Sequence, residues 1–190
     1  GLVLIYFKLG VLLNFETLLR LIYSKSWLNI SASYRLKTKN ETLRHSIDGI
    51  LILNPSSHLA LKTQVRKRIN DAASMSQGFA IAQSLAYKSR IGKHVALNLE
   101  TQATYFDTDD YYARIYINEK NILYGFGFPM LYGQGMRYNA TCNLKFGAQW
   151  NLDLKYALSN YAKRSSLSSG LQEIRGNNLQ ELWLQIRFSY

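Results

Sequence analysis

The sequence contains very little cysteine and proline. Cys142 is the only cysteine among the 190 residues, and Pro55 and Pro129 are the only prolines. A single cysteine excludes both an internal disulfide and a metal cluster built on several thiolates. In the alternating pattern described below, Cys142 falls on an apolar face, where we expect it to act as a small hydrophobic side chain.

Long apolar runs are missing as well. Mean hydropathy is −0.16, and the longest apolar stretch, residues 1–13, is interrupted by Lys8 and followed by Asn14. It is shorter than the roughly 18 residues that indicate a transmembrane helix. It also lacks the basic leader and small-residue cleavage site of a signal peptide. Because the chain starts at Gly1 directly in an apolar run, we expect it to be the C-terminal part of a longer protein.

Acidic residues are scarce relative to basic ones. The chain has 12 Asp and Glu against 23 Lys and Arg, for a formal net charge of +11. A basic excess of this size indicates an anionic partner, such as nucleic acid, phospholipid, lipopolysaccharide or an acidic substrate.

Apolar and polar residues alternate along most of the chain. The pattern is clear over 28–37, 95–105, 136–146, 152–158 and 182–190. A period of two indicates strands with one apolar face. Less regular stretches of strand length cover 46–54, 58–69, 77–89, 110–119 and 121–131.

Two further segments, 2–9 and 12–23, bring the total to about twelve strands. Residues 15–23 also fit a short helix. The predicted organisation is therefore an uncertain N-terminal region, 1–25, of strands or a short helix, followed by a single all-β domain over 26–190.

The connections between these strands alternate in length. Those near 24–26, 54–58, 90–94 and 149–151 are short, whereas those at 38–46, 70–77 and 165–178 are long. Short turns at one end and longer loops at the other are typical of bacterial outer-membrane barrels. Strands of about ten residues or more also match a tilted bilayer crossing.

Side-chain polarity favours the same architecture over its alternative, a soluble sheet. The face opposite the apolar one carries many Asn and Thr residues and few of the Glu and Lys pairs expected on a solvated surface. Outward aromatics at strand ends fit two membrane-interface belts; they are Tyr87, Tyr105, Tyr111, Tyr124, Trp150, Phe188 and Tyr190. The sequence predicts an antiparallel transmembrane outer-membrane β-barrel, possibly part of a larger barrel.

The alternation assigns most basic side chains to the barrel lumen. The predicted inward set consists of Arg35, Lys37, Lys62, Arg66, Arg68, Lys88, Arg114, Arg137, Lys145, Lys155 and Arg187. Only Asp48, Glu100 and Asp153 oppose them on that face. A basic lumen favours anions or holds an acidic plug. The alternative is that these charges are solvated or lie at the lipopolysaccharide rim.

The C-terminal segment resembles the signal that the outer-membrane assembly machinery recognises. It ends in an aromatic residue preceded by apolar residues at alternate positions, namely Leu184, Ile186, Phe188 and Tyr190.

Candidate chemical sites are few. His45, His58 and His94 fall at turns at opposite strand ends, so a shared metal site is not expected. The acidic stretch 107–110 suggests either a Ca²⁺ site or a charged hairpin tip. Gly125 and Gly127 are expected to lie under Tyr112 and Tyr116. We predict no catalytic residues, no metal ligands and no cofactor, and hence no enzyme.

Residues 108–138, with 151–164 and 170–190, resemble the C-terminal barrel of Bacteroidota outer-membrane proteins that carry a periplasmic helix-hairpin-helix module. The resemblance rests on "TDDYYARIY", "NILY", "PMLYGQG" and "GLQEIRGN". It implies location in the bacterial outer membrane. A nucleic-acid partner is implied only through that module, which these residues do not contain.

The sequence leaves two functions open. The first is an outer-membrane channel or anchoring component with an electropositive lumen, in contact with lipid bilayer and lipopolysaccharide. The alternative is a non-conducting scaffold subunit that docks a partner protein of an outer-membrane complex. An enzyme at the outer rim is a weaker third possibility.

Overall fold

The computed structural model describes residues 21–25, 28–39, 42–70, 75–162, 165–167 and 173–189. Every regular element among them is a β-strand. The long strands are β1 (Leu21–Lys25), β2 (Leu28–Lys39), β3 (Thr42–Leu53), β4 (Leu59–Asn70), β5 (Ser76–Ile91), β6 (Val95–Thr108), β9 (Gln134–Phe146), β10 (Trp150–Tyr161) and β13 (Asn178–Phe188). Four two-residue strands complete the set: β7 (Ile115–Tyr116), β8 (Met130–Leu131), β11 (Ser166–Leu167) and β12 (Ile174–Arg175).

The long strands form one antiparallel sheet in the order β1-β2-β3-β4-β5-β6-β9-β10-β13. This confirms the all-β, antiparallel prediction. Within the described residues the sheet is open, because β1 and β13 each pair with a single neighbour. The predicted strand at 2–9 lies outside the described residues, as does the predicted helix at 15–23 as far as residue 20.

Two predicted strands are wrong. Residues 110–119 and 121–131 do not join the sheet, because β6 pairs directly with β9 along its length, from Val95↔Phe146 to Asp107↔Gln134. The whole stretch 109–133 is instead one long connection, containing only β7 and β8. Because the two strands absent from the sheet are consecutive, the predicted directions of the remaining strands are unchanged.

The predicted long loop at 38–46 is also wrong. Strand β2 continues to Lys39 and β3 begins at Thr42. Between the described strands of the main sheet, the two longest connections are 109–133 and 162–177, which leave the same end of the sheet. The predicted long loop at 70–77 is shorter than expected, because β4 ends at Asn70 and β5 begins at Ser76. The opposite end carries the turns after Lys25, Leu53, Ile91 and Phe146, and we call it the short-turn end.

The two sheet faces differ in polarity and exposure. One, which we call the outer face, exposes large hydrophobic side chains, including Leu182 at 72%, Leu184 at 64% and Phe188 at 51% exposure. The other, the inner face, carries the buried residues, both polar and apolar. Its small apolar core lies near the long connections and comprises Ala80, Ala82, Phe106, Ile115, Ile117, Leu131, Tyr161 and Leu167.

Candidate functional site: a segment folded over the inner face

The segment 109–133, which we call the inward segment, begins at a turn organised by Asp110. The Asp110 carboxylate accepts hydrogen bonds from Ser76 Oγ (2.6 Å), Tyr112 N (2.7 Å) and Ala113 N (3.1 Å). The Ser76 bond is the largest cause that holds the pKa of Asp110 below its ordinary value. At the base, Thr108 and Gly133 exchange hydrogen bonds of 2.9 and 2.8 Å. Within the acidic stretch 107–110, the carboxylate of Asp110 thus stabilises the turn at which the inward segment begins.

Strand β5 makes room for this segment. Its inner positions are all small from Ser76 to Ala86, and they include Gly78, Ala80 and Ala82. A Cβ atom added at Gly78 would lie 2.3 Å from the backbone oxygen of Ala113. The backbone of the inward segment at Ala113 therefore packs directly against the backbone of β5 at Gly78.

The inward segment alternates in burial like a strand. Ala113, Ile115, Ile117 and Glu119 are buried against the sheet, while Arg114 between them is half-buried and Tyr116 and Asn118 are exposed. The segment turns back at Ile122–Gly125, where Gly125 N donates to Ile122 O and Tyr124 has a φ of 66°. It does run out and back as predicted, but over the inner face instead of within the sheet.

Polar groups of the sheet also bind the backbone of the inward segment. Gln64 Nε2 donates to Asn118 O (2.8 Å) and Asn139 Nδ2 donates to Lys120 O (2.9 Å). Arg66 donates to Tyr116 O. Because β4 and β9 supply these donors on either side of β5 and β6, the segment spans several strands.

A buried ionic cluster fixes the centre of the inward segment. The carboxylate of Glu119 receives Arg137 Nε and Nη2, each at 2.9 Å, and Lys155 Nζ at 2.8 Å. Arg137 also donates to Ser159 Oγ (2.7 Å) and to both oxygens of Glu181 (3.3 and 3.2 Å). Side-chain exposure is 5% or less for Arg137, Glu119 and Lys155. The cluster contains as many positive as negative charges.

The ionised form of Glu119 is favoured by this arrangement. Burial by itself would raise the pKa of Glu119, but the hydrogen bonds and positive charges of Arg137 and Lys155 outweigh burial. The pKa of Glu119 is therefore below its ordinary value.

The predicted inward basic residues divide into three groups. Arg137 and Lys155 hold Glu119. Arg66 and Arg68 lie 3.5 and 3.2 Å from Asp48, and Arg187 lies 2.7 Å from Asp153. By strand register, Lys62, Lys88 and Lys145 share the inner face with them, and Arg35 and Lys37 pair with inner-face positions of β3.

Arg114 is an exception to that assignment. It lies on the inward segment and not on a sheet strand, and its guanidinium binds Tyr111 O and Tyr116 Oη, each at 3.2 Å. Tyr111 and Tyr124 were predicted to lie in the membrane-interface belts at strand ends. That prediction is wrong, because both residues belong to the inward segment.

Several residues predicted for the apolar face lie on the outer face of the sheet. Tyr87, Trp150 and Phe188 are exposed on the outer face, with Trp150 and Phe188 ring centroids 4.7 Å apart. Leu184 and Ile186 share that face, while Tyr190 lies outside the described residues. Gly125 and Gly127 contact Asn121 and Glu119 instead of tyrosines, because the segment folds back on itself.

The sequence contained two signals for this site. In the predicted strand 110–119, Glu119 shares the apolar phase with Ile115 and Ile117, which is unfavourable for a lipid-facing strand. The run of small inner residues in β5 was the second signal, since small side chains permit close backbone approach.

No family model, curated protein or solved structure matches this chain. Among the described residues, no helix has the length and apolar character needed to cross a membrane. In the same part of the chain, no three His, Cys, Asp or Glu side chains are grouped closely enough to hold a metal ion.

Proposed function

We propose that this chain is part of a β-barrel of the bacterial outer membrane and serves as an anchoring or scaffold component whose lumen is occupied by the inward segment. The outer face would contact lipid, and the inner face would line the lumen. The resemblance to Bacteroidota barrels with a helix-hairpin-helix module belongs to this proposal.

The inverted distribution of polarity supports the membrane assignment. A water-soluble sheet packs its apolar face into a core and exposes the polar one. Here the outer face exposes rows of apolar side chains, such as Tyr156–Leu182 and Leu154–Leu184 pairs between β10 and β13. Contiguous apolar surfaces of this kind mark contact with lipid or with another protein. Strands of 11 to 16 residues from β2 to β13 in the main sheet are long enough to cross a bilayer.

The observation that carries the scaffold assignment is the Glu119 cluster. It holds the inward segment across the inner face, and two of the basic residues predicted to attract ions, Arg137 and Lys155, already have an acidic partner within the chain. Arg137 and Lys155 are therefore not free to attract anions in an open pore.

A channel is the second candidate, favoured by the lysines that the inward segment leaves unpaired. Among the described residues, Lys88 and Lys145 have no carboxylate within salt-bridge distance and are exposed on the inner face.

Conductance in planar bilayers distinguishes the two candidates. We expect the purified full-length protein to show little steady conductance. A variant with residues 111–131 replaced by a short Gly-Ser linker should conduct and prefer anions. A matched variant with a similar linker in place of 166–175 should behave as the unmodified protein. Steady anion-selective conductance of the unmodified protein would favour the channel.

A further inference from the structure

A hollow of about 580 Å³ lies on the inner face at the short-turn half of the sheet. The inward segment forms one wall through residues 120–124, and strands β4, β5, β6, β9, β10 and β13 form the floor. Its volume falls within the range of about 300–1,000 Å³ that is usual for small-molecule sites.

Positive charge exceeds negative charge in this hollow. The cationic lining residues are Lys88, Lys120, Lys145 and Arg187, and the carboxylates are Glu100 and Asp153. Among the described residues the three lysines form no salt bridge, and all three are exposed. Their ammonium groups are therefore available to a bound anion.

The floor is ordered by a chain of hydrogen bonds. Asn98 Nδ2 donates to Asn143 Oδ1 (3.1 Å), Asn143 Nδ2 donates to Asp153 Oδ1 (2.6 Å), and Arg187 Nη2 donates to Asp153 Oδ2 (2.7 Å). Arg187 Nε is buried and has no hydrogen-bond partner among the described residues. The hydrogen bonds to Asp153 thus fix the position of Arg187 in the floor of the hollow.

We infer that this hollow binds a small soluble molecule carrying one or more phosphate groups. Lysine ammonium groups act as point charges for phosphate, and an arginine donor adds a directed hydrogen bond. The inner face is separated by the sheet from the apolar outer face, so a soluble phosphate compound fits the site better than the headgroup of a bilayer lipid. This inference goes beyond the scaffold function and does not require a closed lumen.

The test is calorimetric titration of the detergent-solubilised full-length protein with pyrophosphate at low ionic strength. We expect saturable binding that weakens with added salt. Lys88→Gln with Lys145→Gln should weaken it at least tenfold. The matched control, Lys67→Gln with Arg175→Gln, removes the same charge outside the hollow and should change affinity less than twofold.

A variant expected to bind pyrophosphate more tightly shows whether the weaker binding of the lysine variants is caused by misfolding. Asp153→Asn keeps the shape of the side chain but removes the carboxylate that competes for Arg187, so pyrophosphate should bind several-fold more tightly. Absence of binding, equal weakening in the control pair, or weaker binding by Asp153→Asn would overturn the inference. Displacement of pyrophosphate by equimolar dihexanoyl phosphatidic acid would also overturn it, because the site would then recognise a lipid headgroup.

Discussion

At the scale of single residues, Glu119 joins the inward segment to two strands of the main sheet. It is the acidic partner of two buried cations from different strands, Arg137 of β9 and Lys155 of β10. A buried ion pair contributes little net stability compared with an apolar replacement, but removal of one partner leaves an uncompensated charge. We therefore expect the cluster to specify where the inward segment lies.

Glu119→Gln should release the inward segment. The amide keeps the size of the side chain but leaves Lys155 buried without its carboxylate, at a cost of about 3 kcal/mol. Limited proteolysis should show faster cleavage within 109–133, and denaturant unfolding should shift to lower concentration. Glu173→Gln, at an exposed position, is the control. Unchanged proteolysis of Glu119→Gln would contradict the role of the cluster.

The lowered pKa of Glu119 predicts a dependence on acid. The folded state binds this proton less tightly than the unfolded state, so the stabilisation is complete above the ordinary pKa of about 4.3 and is lost as pH falls through the lowered value. Hydrogen exchange of residues 113–119 should be slower in the native protein than in Glu119→Gln at neutral pH. That difference should disappear in strong acid. A difference that persists at every pH would contradict this assignment.

At the scale of elements, strand β5 and the inward segment fit each other by size. A strand with small inner residues creates a groove along the sheet, and the apolar residues Ile115 and Ile117 fill it. This packing requires both the small residues of β5 and the apolar residues of the inward segment. The whole of β6 separates these two segments in the sequence.

Gly78→Ala should weaken the fit between β5 and the inward segment. The new methyl group would overlap the backbone oxygen of Ala113, and overpacking of this kind costs about 1–3 kcal/mol. Gly49→Ala is a matched control in a neighbouring part of the sheet, because its Cβ would have no atom within 4 Å. Thermal unfolding should separate the two variants. Equal stability would show that the segment adjusts without cost.

The last strand provides a test of the outer face. Phe188 is exposed beside Trp150, so Phe188→Asp would place a carboxylate in the proposed lipid contact, at a cost of up to a few kcal/mol depending on depth. We expect loss of assembly, measured as loss of heat-modifiable mobility in membrane fractions. Ser189→Ala should assemble normally. Normal assembly of Phe188→Asp would place this face away from lipid.

At the scale of the whole molecule, the long connections 109–133 and 162–177 leave one end of the sheet and short turns occupy the other. In outer-membrane barrels the short turns are periplasmic and the longer loops face outward. For the proposed barrel, we therefore expect the short-turn end to be periplasmic and the connection 162–177 to be extracellular.

Cysteine labelling on intact cells tests the orientation. In a Cys142→Ser background, Glu173→Cys should react with a membrane-impermeant thiol reagent, whereas Ser56→Cys should react only after the outer membrane is permeabilised. Both positions are exposed. Labelling of position 56 alone on intact cells would reverse the orientation.

Alternation along the sequence determined which face each side chain of the main-sheet strands occupies. Polar and apolar phases predicted for β4, β5, β6, β9 and β10 agree with the strand register, because side chains of a strand alternate strictly between two faces. The local pattern is sufficient for this, since it depends on the backbone geometry of each strand alone.

Only the tertiary structure decided that residues 109–133 lie over the inner face instead of forming two more strands of the sheet. Their alternation is equally compatible with two more sheet strands and with a segment lying over the sheet, because both bury every second residue. The choice depends on distant partners: the direct pairing of β6 with β9, the small residues of β5, and the cations Arg137 and Lys155 that receive Glu119. No local pattern contains those contacts, since they join residues far apart in the chain.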